Sequence, residues 1–193
     1  MKSILTWIFC VCALLSSCNF IDISKKNQAS YVHDEDYERI ASRLERKFIQ
    51  KMKTEKELQC IGIGGKMMND IQEMGISFQY FHVVDLSEAR LLLVHTATEY
   101  LNEINNSREL RPYLHNYPFT YKNIAIRIFI RKPDNTDVSL DEISYMSCID
   151  GLLTYDLPYK KGSRVDRTLH KETYEEALKT IEEEEETNRS KAS

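Results

Sequence analysis

Tyr37, Ile40, Ala41, Leu44, Phe48 and Met52 return every three to four positions, with Arg, Lys and Glu between them. That is the stripe of an amphipathic helix, and it predicts one over 36–53. Leu58–Ile63 (LQCIGI) reads as a strand running into a glycine turn at Gly64-Gly65. Residues 66–74 fit a short helix or an irregular connection equally well. Ile76, Phe78, Tyr80, His82 and Val84 alternate, so 76–84 is a strand. Asp85-Leu86-Ser87-Glu88 then has the spacing of a capping box, opening a helix to about Asn105. A helical turn over 109–115 stops before Pro118.

The clearest strand is Asn123–Arg131. Ile124, Ile126, Ile128 and Ile130 line one side, and Ala125, Arg127, Phe129 and Arg131 the other. Pro133-Asp134-Asn135 marks a turn, and Asp150-Gly151 between apolar runs signals a hairpin within 145–157. From Lys171, the positions Tyr174, Ala177, Leu178 and Ile181 make a narrow helical stripe before the glutamate run 182–186. Together these elements predict an α+β fold: an antiparallel sheet of about four to five strands with amphipathic helices on one face. The expected organisation is a signal peptide over 1–17, a polar tether over 18–35, one domain over 36–186 and a disordered tail over 187–193.

The N-terminus has its own pattern. Lys2 is followed by an apolar run, Ile4–Leu15, of about twelve residues. Spanning a bilayer as a helix takes ~20, so the run reads as a secretory signal. Leu15-Ser16-Ser17-Cys18 resembles the lipobox of bacterial membrane lipoproteins: an aliphatic residue, two small residues and a cysteine. The resemblance covers only this first tenth of the chain. It implies transfer of a diacylglyceryl group to the Cys18 thiol, cleavage before Cys18 by signal peptidase II, and acylation of the new amine, with palmitate among the fatty acids carried. Each buried methylene contributes ~0.8 kcal/mol, so two or three acyl chains hold a protein firmly. An Asp after the cysteine favours inner-membrane retention in such proteins; Asn19 points to the outer membrane, facing the periplasm.

Of five cysteines, Cys10 and Cys12 lie in the signal and Cys18 is the lipidation site. Cys60 and Cys148 remain, either a disulfide in an oxidising periplasm or two independent buried thiols. Among 193 residues, 42% are hydrophobic and 29% charged, which excludes wholesale disorder. A net charge of −4 gives no basic surplus to draw nucleic acid, so none is expected as a partner.

No motif carries chemistry. Gly62-Ile63-Gly64-Gly65-Lys66 fails as a phosphate-binding loop because Met67 stands where Ser or Thr is needed, and the dinucleotide pattern fails at the same residue. His95 and Glu99 are four apart, yet they share a solvated helix face without a third ligand. No catalytic residue, cofactor or metal site is therefore assigned. At 100° per residue Arg90 falls inside the apolar arc between Ala97 and Leu101, so it must reach a carboxylate, snorkel, or receive an anionic ligand. Arg127 and Arg131 lie on the less apolar sheet face with Phe129, as solvated charges or as a binding surface. These features suggest a lipid-anchored envelope protein acting as a non-catalytic scaffold, assembly factor or binding module, attached to the membrane by acyl chains and to an envelope protein partner. A periplasmic hydrolase with a dispersed active site, or a lipoprotein subunit of a secretion or transport complex, are the alternatives.

Overall fold

A computed structural model of the chain describes residues 21–159 and 167–192. Residues 1–17, expected to form a signal peptide, and Cys18 lie outside them. The chain divides into two compact units after Arg39, and the sheet belongs to the second, Ile40–Ser193.

Helix α1 spans Ile21–Lys56. It starts well before 36, so 21–35 are helical rather than an irregular tether; no Gly or Pro interrupts the stretch. Its end is a left-handed cap: Glu57 takes φ 57°, and Leu58 N–H donates back to the Met52 carbonyl at 3.2 Å. Strands β1 (Gln59–Met67) and β2 (Ile71–Tyr80) follow as an antiparallel pair. The glycine run lies inside β1 instead of ending it. Neither Gly64 nor Gly65 has a positive φ, and the ambiguous 66–74 stretch holds the turn and the start of β2.

Helix α2 (Leu86–Asn106) is capped by Asp85, with the Glu88 side chain closing the box. It carries the chain back so that β3 (Ile124–Ile130) runs parallel to β2, pairing Ile76 with Ile126 and Phe78 with Ile128. β4 (Tyr145–Ile149), β5 (Leu152–Asp156) and β6 (Thr168–Thr173) continue antiparallel. At the β4–β5 turn Asp150 and Gly151 both have positive φ, the primed geometry that matches strand twist. Helix α3 (Tyr174–Ala192) leaves β6 directly and keeps 187–192 helical where a tail was expected.

The fold is therefore α+β, with three helices and a six-stranded sheet in the order β1-β2-β3-β4-β5-β6. The sheet is mixed, not antiparallel, and exceeds the expected four to five strands. The reasons are local. A parallel pair needs a connection long enough to cross over, and the stretch holding α2 supplies one between β2 and β3; β6 (TLHKET) is too polar for an alternation of apolar residues to reveal it.

One sheet face carries the core: Ile76, Phe78, Ile126, Ile128, Met146, Cys148, Leu153 and Tyr155 are all essentially inaccessible to solvent. Phe48 of α1 meets Phe78 edge-on at 6.5 Å and Tyr100 of α2 at 4.8 Å. Tyr174, Ala177 and Ile181 of α3 close the other end.

Candidate functional site

A buried charged cluster forms where α2, β6 and α3 meet. Arg90 sits on the buried side of α2, 7% exposed, and Glu172 on the core face of β6 is equally buried. Arg90 Nε donates to both Glu172 oxygens, at 2.9 and 3.1 Å. Its Nη1 lies 3.7 Å from Glu184 of α3, whose other oxygen accepts from Ser87 at 2.7 Å. His170 Nε2 stands 3.5 Å from Glu172, and the His170 ring stacks on Tyr155 at 6.0 Å. Burial, and then the Glu172 charge, push the Tyr155 hydroxyl far above its ordinary range. Burial pushes the nearby Cys148 thiol up to about 12, so it stays protonated and inert as a nucleophile. The guanidinium is spent on two carboxylates, and a buried pair of this kind fixes elements relative to each other.

The other sheet face holds a different set. Strand registers align Gly62, Ser77, Arg127, Ser147, Thr154 and Lys171 in one row across all six strands. Arg127 is half-buried and has no carboxylate partner among the described residues. The next row places Gln79 beside Phe129 and Tyr145, whose rings lie 5.0 Å apart. Arg131 is not part of this surface: it is tied to Asp137 at 3.0 Å and the Asn135 carbonyl at 3.2 Å in the β3–β4 loop. Arg90 and Arg127 thus stand on opposite sides of the sheet and cannot serve one ligand.

Comparison with protein families, curated proteins and solved structures returned no match.

Cys60 and Cys148 are both free. They sit on β1 and β4, three strand positions apart. At ~4.8 Å per strand that is roughly 14 Å, twice what a disulfide spans; the bridge does not form in this fold. His95 is exposed, and Glu99 pairs with Lys51 of α1 at 3.0 Å. Among the described residues no group of three or more His, Cys, Asp or Glu is placed to hold a metal, and no helix is long and apolar enough to cross a membrane. His82 pairs with Glu57 at 2.9 Å and His115 with Asp70 at 2.6 Å, where His115 holds the Asp70 carboxyl below its usual range. No hydroxyl or thiol hydrogen-bonds to either imidazole among the described residues.

Two residues of consequence escaped the sequence. Glu45 of α1 is only 3% exposed, with the Tyr100 hydroxyl donating to it at 3.4 Å. Burial pushes its carboxyl up to about 7, and the Tyr100 bond offsets part of that. A signal was present, since Glu45 falls on the stripe of Ala41, Phe48 and Met52. Glu172 had none, because its strand was invisible.

Proposed function

We propose that this chain is a lipid-anchored lipoprotein of the bacterial cell envelope, whose α+β domain is a non-catalytic binding or assembly module. Leu15-Ser16-Ser17-Cys18, placed after Lys2 and an apolar run too short to span a bilayer, carries the reading. Signal peptidase II cuts before Cys18, and acyl chains there hold the domain at the membrane, at the outer membrane facing the periplasm given Asn19. The module reading draws on the chemistry of the domain. Its buried arginine is committed to two carboxylates and its buried thiol is protonated. Its Arg127, without a carboxylate partner among the described residues, lies instead beside hydroxyls and aromatic rings on the sheet face away from the helices.

The test is Cys18→Ala in a bacterial host fed labelled palmitate. The parent chain takes up label and migrates as a processed, membrane-bound species. The variant takes up none and accumulates as a longer precursor. A processed, membrane-bound Cys18→Ala protein refutes the anchor. For the module, Arg127→Glu abolishes recovery of the envelope partner from membranes at unchanged melting temperature. Unchanged recovery refutes a role for that face.

A further inference from the structure

Charge is not spread evenly over this chain. It holds 26 Lys and Arg against 30 Asp and Glu, yet residues 40–56 of α1 alone hold six against two. At 100° per residue, Arg43, Arg46, Lys47, Lys53 and Thr54 all fall within about 60° of Gln50, and all six side chains are exposed. Between 40 and 56 that arc contains no carboxylate. Glu45 is on the buried side of the helix, and Glu55 falls about 140° from Gln50. The glutamate run 182–186 is exposed on α3, and α2 touches both helices, through Lys51–Glu99 and Arg90–Glu184.

The fold makes little use of this arc. Arg43 reaches Glu109 in an exposed pair at 3.2 Å, while Arg46, Lys47 and Lys53 have no carboxylate partner among the described residues. The neighbours Arg43–Arg46 and Arg43–Lys47, three and four positions apart, carry like charges, an arrangement that costs a helix stability. A solvated helix face ordinarily interleaves both signs. One that carries cations alone over about 17 Å, with an apolar opposite side, has the pattern of a helix lying on anionic lipid.

We infer that the arc around Gln50 docks on the headgroups of an anionic phospholipid surface. The inference deepens the envelope reading and rests on it for a membrane close by; the chemistry of the face does not depend on it. The arc has no large apolar side chain, so the helix sits on the headgroups and does not insert. Lipid is favoured over nucleic acid, the other extended polyanion, because the same chain carries the pattern of an export signal and a net charge of −4. Each cation close to such a surface contributes roughly fivefold in partitioning, lost as salt screens it. Acyl chains hold the chain at the membrane, and the arc sets how the domain lies on it. The buried side of α1 packs towards the sheet through Phe48 and Phe78. Docking by the outer side therefore turns the sheet face with Arg127 away from the lipid.

The test maps lysine acylation by mass spectrometry on the full chain, purified from bacterial membranes and added to vesicles. One set is phosphatidylcholine alone; the other is phosphatidylcholine and phosphatidylglycerol in equal parts. Lys47 and Lys53 react several-fold more slowly on the anionic vesicles, and high salt restores their reactivity. Lys179, exposed on α3, reacts equally on both. Arg46→Glu with Gln50→Glu leaves both reporter lysines in place and abolishes the protection, with circular dichroism confirming the fold; the parent's own comparison needs no variant. Flotation with pure phosphatidylcholine after a high-salt wash reads the anchor separately. A chain that washes off lacks the anchor, yet still has Lys47 and Lys53 protected by anionic vesicles at low salt. Equal reactivity on the two vesicles, protection that survives in the folded double variant, or the same protection by an oligonucleotide duplex in place of vesicles overturns the inference.

Discussion

Glu45→Gln separates the cost of a buried charge from everything else in the α1–α2 seam. The Glu45 carboxyl rises from 4.5 to about 7 on folding, with burial as the cause. An acid whose folded pKa is raised binds its proton more tightly in the native state. Stability from this group is therefore fully present below pH 4.5 and is lost as pH climbs towards 7, after which the curve is flat. The whole shift corresponds to at most ~3 kcal/mol, and solvent screening at the seam reduces this to about 2 kcal/mol. Glutamine keeps the size and the hydrogen-bonding capacity towards Tyr100 but has no charge to bury. Urea unfolding of parent and variant across pH 4.5–8.5 gives the difference directly. Surface carboxylates such as Asp134, Glu142 and Glu176, all held below their usual range by hydrogen bonds, cancel in it. The variant is more stable than the parent at pH 8 by about 2 kcal/mol, or roughly 4–8 °C in Tm. The advantage vanishes near pH 4.5. A flat difference between pH 5 and 7.5, or one that shrinks as pH rises, refutes the reasoning.

Arg90→Ala strands the buried Glu172 carboxylate and lowers unfolding free energy by ~3–5 kcal/mol in urea titrations, while Glu99→Ala does much less. The double variant Arg90→Met with Glu172→Leu recovers most of that loss, because removing both charges also removes the desolvation. Both Cys60 and Cys148 are alkylated in unreduced, denatured protein. In the native chain the half-exposed Cys60 reacts and the buried, protonated Cys148 does not, which mass mapping of the adducts checks.

Signals that depend on neighbours in sequence were legible. The Asp85–Glu88 box and the Asp150-Gly151 turn could be read because each acts within four residues. The wheel position of Arg90 required a destination for its charge, but Glu172 lies 82 residues away on a strand without apolar alternation. The sheet's mixed sense was equally hidden, since the direction of β3 follows from where α2 delivers the chain. Gly64-Gly65 misled for the opposite reason. Glycine pairs usually mark turns, but here one glycine makes room for a carbonyl and the other fits no turn.

The two edges of the sheet differ in a way that bears on what the domain does. β6 is six residues long, carries Lys171 and Glu172, and passes straight into α3, whose Thr173–Glu176 box begins on its last residue. Its Glu172 is locked to α2. An added strand there would meet charges on both faces, as an edge built against pairing requires. β1 is longer, almost uncharged and glycine-rich, and it displays isoleucines. What it has instead of charge is irregularity: register shifts at Cys60/Gly62 and Lys66/Met67 bulge the strand near both ends, and a bulged edge offers no long flat ladder for an added strand.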